Sequence, residues 1–183
     1  MVSPFNIRRA ASLVWQGGLI AYPTEAVYGI GCDPYQQSAV FRLLKLKSRP
    51  VEKGLILVCS NLQQLNDFIE PLTEQQQQQI KLKQNTTWLV PASNAPFWLR
   101  GQHQTLAIRL SAHPVVKQLC DALDQPLVST SANPAGKNPA KNNRQTHQYF
   151  HSELDIILGS ETGTLGKPTE IRDLLTQQVI RAN

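Results

Sequence analysis

Apolar positions change period repeatedly along the chain, and each change predicts an element. The opening stretch MVSPFNIRRAASLVWQGG spaces its apolar residues as on one helix face, so Asn6 caps a helix reaching about Gln16, where Gly17–Gly18 ends it. Leu19–Pro23 reads as a short buried strand, followed by a Gly- and Pro-rich loop, PTEAVYGIGCDP. Ala39, Val40, Leu43, Leu44 and Leu46 mark a helix from about Gln36 to Lys47. Gly54–Val58 is a strand, and Asn61 caps a helix that turns Leu62, Leu65, Phe68 and Ile69 inward. The glutamine run 75–79 sits on a helix surface. Strands follow at Thr87–Pro91 and Thr105–Leu110, a helix at His113–Leu123, and a strand from Pro126 that becomes a polar loop. Leu154–Leu158, Glu170–Leu175 and Gln178–Ala182 supply late strands, and Lys137–Gln148 reads as a long mobile loop. Strands and helices alternate without a repeat period or a shift in composition. This predicts a single α/β domain over residues 1–183, with a twisted mixed sheet and flanking helices.

Composition narrows the class only a little. With 183 residues, 41% hydrophobic and 17% charged, the chain has the makeup of an ordinary globular protein. The net charge of +5 leans toward polyanionic partners, nucleotides or RNA. Cys32, Cys59 and Cys120 are far apart and odd in number, which supports neither a zinc site nor a disulfide framework and fits buried thiols in a reducing compartment. No signal-peptide core and no run of ~18 apolar residues is present, so a cytoplasmic protein without membrane contact is expected.

Four stretches are candidates for chemistry. In Pro23–Asp33 two glycines follow a strand, as in a phosphate loop, but neither phosphate-loop spacing occurs, and a tight turn fits equally; Thr24, Glu25 and Tyr28 are its polar groups. KLKSRPVEKGLILV holds Lys45, Lys47, Arg49 and Lys53 against one acid, Glu52. Cations at a helix C-terminus are favoured by the dipole whatever their role. Pro50, however, turns Arg49 toward extended geometry, which lets Lys47 and Arg49 converge on phosphate; a solvated basic loop is the alternative. In TLAIRL, period-two geometry sends Leu106, Ile108 and Leu110 one way and Thr105, Ala107 and Arg109 the other. An arginine on a sheet requires an anion or a wet face, so Arg109 is either a carboxylate anchor or an edge residue. VSTSAN sets three hydroxyls and an amide at a strand end, where α/β sheets hold ligands, although a cap or Asx turn uses the same residues. No serine-hydrolase elbow occurs, the four histidines adjoin no nucleophile, and His147 and His151 have no further ligands to make a metal site.

PTEAVYGIGCD, KSRPVEKGLIL, TLAIRL, STSANPAG, KPTEIRD and the late VIR, in that order over nearly the whole chain, resemble the YrdC-like family of threonylcarbamoyl-adenylate synthases in its short bacterial form. The resemblance implies a curled α/β sheet with a positively charged concave face. It implies condensation of L-threonine, bicarbonate or CO2, and ATP into threonylcarbamoyl-adenylate and diphosphate, with Mg2+. The product serves modification of the adenosine beside the anticodon of tRNA, and separate transfer proteins complete that step. An RNA-binding module using the same basic face is the alternative. By the same resemblance, Lys47 and Arg49 are catalytic and contact ATP, joined by Lys53, Thr105, Ser131, Asn133 and Arg181. Thr24, Tyr28, Arg109, Ser129 and Thr169 fall to threonine, and no protein ligand to a metal is identified. Three positions depart from the family pattern: Ala26 replaces a threonine, Val58 stands where long forms have histidine, and LKQN at 82–85 replaces a Trp-Pro-Gly-Pro turn.

Overall fold

The computed structural model describes residues 2–165 and 169–182. The first helix, α1, starts earlier than Asn6: Ser3 is the cap, its hydroxyl accepting the Asn6 N–H, and Pro4–Trp15 is helical with proline in the first turn, where a missing N–H costs nothing. The strands are β1 (Ile20–Pro23), β2 (Tyr28–Cys32), β3 (Ile56–Cys59), β4 (Thr86–Pro91), β5 (Thr105–Leu110), β6 (Leu127–Ser131), β7 (Ile156–Ile157), β8 (Glu170–Asp173) and β9 (Val179–Arg181). All join one mixed sheet in the order β7-β1-β2-β6-β3-β5-β4-β8-β9. Pairs β1/β7, β3/β5 and β4/β8 are parallel and the remainder antiparallel. The other helices are α2 (Gln37–Leu46), α3 (Glu74–Leu82), α4 (Phe97–Arg100), α5 (Pro114–Leu123) and α6 (Asn143–Phe150).

Three expected loops or helices differ. The Gly-rich loop contains β2, paired with β1 and β6; a side chain on Gly31 would press on the Val128 carbonyl, so glycine lets the strands close up rather than binding phosphate. The segment after Asn61 makes only a short 3-10 turn, Leu62–Leu65. The stretch 137–148 is not all loop: α6 begins at Asn143, capped by the Asn142 side chain.

The period of two sorts each strand between two cores. Ile20 and Tyr22 of β1 meet α1 and α5, whereas Leu19 and Ala21 join the larger core under α2, α3 and α4. Each such fully buried aliphatic side chain contributes about 1.5–3 kcal/mol. The α1–α5 pair covers only half of its sheet face. Val58 of β3 and Leu127 of β6 lie beneath it. Two residues along, Ile56 and Ser129, paired with each other, face an open hollow together with Ala107 of β5 and Leu89 of β4.

Candidate active site

This uncovered half-sheet is the floor of a cavity of about 460 Å³. Arg49, Lys53, Thr105, Ser131, Asn133, Arg181, Thr24, Tyr28, Arg109, Ser129 and Thr169 all line it, so the stretches singled out above meet in one place. Lys47 does not. Arg100 and His103, which sequence reasoning passed over, stand on the wall beside Lys53. Among the described residues no aspartate or glutamate lines the cavity.

The basic stretch is shaped by a helix end. Ser48 takes the left-handed conformation (φ 47), its N–H bonding the Lys45 carbonyl while Arg49 N–H bonds that of Leu44. This is the reciprocal 5→2 and 6→1 pattern of a Schellman cap, made with serine where glycine is usual. It is this turn, rather than Pro50, that stops α2. Arg49 then curls over the next turn, its Nε and Nη2 donating to the Gly54 carbonyl at 3.1 and 2.8 Å, while the residue lines the cavity. Gly54 and Gly101, both at positive φ, press back to back: a side chain on Gly101 would lie 2.2 Å from the Glu52 carbonyl oxygen. Only glycine allows this approach, which sets the Arg49–Lys53 wall beside Arg100.

Lys47, expected at the phosphates, is buried against the Ser131–Asn133 turn and does not line the cavity. Its ammonium donates to the carbonyls of Ser131 (2.6 Å) and Asn133, and to Asn133 Oδ1 at 3.1 Å. Ser131 Oγ also donates to Asn133 Oδ1 (2.6 Å), while Asn133 Nδ2 donates to the Pro134 and Lys137 carbonyls. Lys47 therefore braces the STSAN turn. Burial, and secondarily the nearby Arg49 charge, bring its pKa down to about 8.

At the opposite end Arg109 projects from β5 on the face its alternation predicted. Its anion is internal: Nη2 lies 3.5 Å from Glu25 Oε2, and Nη1 is 3.5 Å from Thr169 Oγ1. Thr169 Oγ1 shares a 2.9 Å bond with Thr87 Oγ1, so Thr87 keeps a defined partner despite the altered 82–85 turn, and the Thr169 carbonyl accepts from Arg181 Nη2 at 2.9 Å. Burial pushes Glu25 upward, but Arg109, Ser111 and nearby backbone N–H groups outweigh it and hold the carboxyl below its ordinary range.

A strap of residues 159–165 crosses this end. Tyr28 Oη donates to the Ser160 carbonyl (2.6 Å) and accepts its N–H (3.1 Å); Gly163 N–H bonds the Thr24 carbonyl. His113 Nδ1 accepts the Val115 N–H, which puts the ring proton on Nε2, 3.3 Å from the Glu161 carbonyl. Burial lowers the pKa of His113, keeping it neutral near pH 7. Thr24 Oγ1 donates to the Val27 carbonyl (2.7 Å), and Ala26 lines the cavity where the motif has a second threonine. Lys167 and Pro168 of the KPTEIRD motif lie outside the described residues. All three cysteines are free and buried.

The family model for Sua5, YciO and YrdC proteins, described as telomere recombination, matches residues 12–183. The chain belongs to the Sua5/YciO/YrdC family. Within it, the threonylcarbamoyl-AMP synthase of Pseudomonas aeruginosa (strain UCBPP-PA14) is 50% identical over 184 residues, 99% of each chain. That of Cellvibrio japonicus (strain Ueda107) is 49% identical, covering 96% of this chain and 95% of its own. The crystal structure of P. abyssi Sua5 complexed with L-threonine matches with a TM-score of 0.90 at 27% identity; the match covers 99% of this chain and 55% of that longer one. E. coli YciO shares the fold, with a TM-score of 0.82, 24% identity and coverage of 98% and 89%. The Sua5 match covers 99% of this chain and so takes in the nine-stranded sheet of the described residues.

Proposed function

We propose that this family member is a threonylcarbamoyl-AMP synthase, joining L-threonine, bicarbonate or CO2, and ATP, with release of diphosphate. The carrying observation is that one cavity joins an arginine anchor, Arg109 with Thr169, to a cationic and hydroxyl-bearing wall of Arg49, Lys53, Ser131, Asn133 and Arg181. Relatives half identical along their length bear that enzyme's name. The threonine carboxylate goes to Arg109, beside Ser129 and Thr169, with Thr24 and Tyr28 shaping that end. ATP lies along the other wall from Thr105 to Arg181.

The chemistry asks for what this wall holds. The threonine amine adds to CO2, and a carbamate oxygen attacks the α-phosphorus as diphosphate leaves. Carboxylate, carbamate and triphosphate repel one another: two unit charges 4 Å apart cost about 4 kcal/mol at an effective dielectric near 20. Arg49 and Lys53 offset that repulsion and stabilise the departing diphosphate, and Arg109 fixes the nucleophile's far end. The carbamate decomposes in water, so a reaction held within the hollow is one that limits solvent. No covalent nucleophile is required. The site does not fit a resident metal: among the described residues no carboxylate is on the lining, and no group of three or more His, Cys, Asp or Glu is set to bind one. Mg2+ enters, in this reading, on the phosphates as part of the nucleotide substrate.

Lys47 acts from behind, holding the Ser131–Asn133 turn against the nucleotide and adding charge. A polyanion favours its protonated form, so above the ligand-free pKa of about 8 nucleotide binding must take up a proton. Affinity for a non-hydrolysable ATP analogue is expected to fall between pH 8 and 9.5, approaching tenfold per pH unit. Calorimetry checks this, with Lys47→Ala binding weakly and without that slope.

The product passes to the proteins that transfer threonylcarbamoyl to the adenosine beside the anticodon of tRNA, and the cytoplasm is the compartment proposed; no described helix is long and apolar enough to cross a membrane. Diphosphate release that requires both threonine and bicarbonate, and proceeds without RNA, tests the assignment. RNA binding with no such release would favour the RNA-binding reading and overturn this one.

A further inference from the structure

Glu25 is a buried carboxylate that does not line the cavity. A buried carboxylate is costly unless it is paired and hydrogen-bonded, so its partners indicate what it is there for. Its Oε1 accepts the Ser111 hydroxyl and the His113 N–H, both just beyond the end of the strand that carries Arg109. Its backbone carbonyl accepts the Leu165 N–H, and a side chain on Gly163 would stand 2.7 Å from it. Glu25 is thus held in two places, its carboxylate by residues 111–113 and its backbone by the strap. Its other oxygen, Oε2, is left to Arg109 alone: it has no hydrogen-bond partner among the described residues and sits 3.5 Å from Nη2.

Arg109 in turn is held by little else. Its Nε is buried without a partner among the described residues, and its contact to Thr169 is long at 3.5 Å. Left to itself, a guanidinium on a flexible stem would rotate to satisfy Nε or to reach water. We infer that Glu25 is a positioning residue: with its backbone held by the strap and its carboxylate by Ser111 and the His113 N–H, it fixes the Arg109 guanidinium so that the free edge meets the substrate carboxylate. The inference rests on the proposed function, in which Arg109 anchors threonine. Glu25 itself touches no substrate.

Orientation and charge make opposite demands, which gives the test its sign. Removing the negative charge of Glu25 strengthens Arg109 as a bare anion site; removing its grip weakens the alignment. The geometry points to alignment as the larger effect, since among the described residues Glu25 is the one charged partner of Arg109 and Thr169 adds a single contact at 3.5 Å. Equilibrium binding of L-threonine and of a non-hydrolysable ATP analogue is to be measured separately on wild-type protein, Glu25→Gln and Ser111→Ala. Expected for Glu25→Gln is threonine affinity lower by about tenfold or more, with nucleotide affinity within about twofold. Ser111→Ala, which keeps the charge and frees the carboxylate, should shift threonine alone in the same direction by about threefold to tenfold, and it carries the test if Glu25→Gln does not fold. Threonine binding that is unchanged or tighter overturns the inference, as does a parallel loss of both ligands, the mark of a merely structural role. Wild-type protein that fails to bind threonine overturns the functional reading first, and the inference with it.

Discussion

Arg49→Ala is expected to lower threonine-dependent ATP–diphosphate exchange by about a hundredfold to a thousandfold, the usual cost of deleting one donor aimed at developing charge. The reasoning is geometric. Arg49 lines the cavity with its guanidinium fastened through Nε and Nη2 to the Gly54 carbonyl, so its direction is set before nucleotide arrives. Preorganised charge requires no reorientation when diphosphate departs. The substitution also removes three hydrogen bonds at a half-buried position, two to the Gly54 carbonyl and a longer one to that of Lys53, a stability loss of about 1–3 kcal/mol. Thermal unfolding would show the protein still folded, and exchange at saturating ATP and threonine would show the rate lost. A folded Arg49→Ala protein exchanging at the wild-type rate would remove this residue from the reaction.

Arg109→Ala should raise the threonine requirement by about a hundredfold or more, and it should also invert how stability responds to acid. In the wild-type protein the folded-state pKa of Glu25 is depressed. Its stabilising contribution is present at neutral pH and is lost as pH falls through that low value. Without Arg109 the opposing cation is gone and burial dominates, so the folded-state pKa moves above the unfolded one. The carboxylate then destabilises at neutral pH, by about 3–5 kcal/mol for an uncompensated buried charge, and acidification from pH 7 toward 5 relieves part of the penalty. Melting curves across that range check the sign. Adding Glu25→Gln to Arg109→Ala should restore stability at pH 7 without restoring threonine affinity, separating the folding role of the pair from its binding role. A single Arg109→Ala protein that loses stability on acidification as the wild type does would refute the pairing.

Much of this arrangement was legible in particular residues. Thr105, Ala107 and Arg109 share the cavity face because strand geometry alternates, and the strand bounds Thr105–Leu110 emerged as expected. Strand β2 escaped notice because YGIGC carries two glycines, poor strand formers in isolation; their reason is the Val128 carbonyl and the Tyr22 ring, which a side chain on Gly31 would strike. Helix α6 escaped because NRQTHQYF has almost no apolar period, only Thr146 and Phe150 being buried. Arg100 and His103 gave no signal, since they reach the cavity only through the packing of Gly101 on the Glu52–Gly54 turn. The partners of Lys47 gave no signal for a similar reason: its acceptors belong to residues 131 and 133, far away in the chain.

The chain alone determined the class of fold and the inventory of the site: an alternating α/β pattern, a basic stretch, one arginine on an otherwise apolar strand, and a hydroxyl-rich strand end. These are properties of local period and residue type, which act over a few neighbouring positions. Tertiary structure decided which half of the sheet stays uncovered, that Lys47 braces a turn instead of facing the cavity, and that Glu25 stands behind Arg109. Those outcomes depend on where α1 and α5 stop covering the sheet and on charges meeting across long stretches of chain, and burial makes such pairings strong only after the layers have closed.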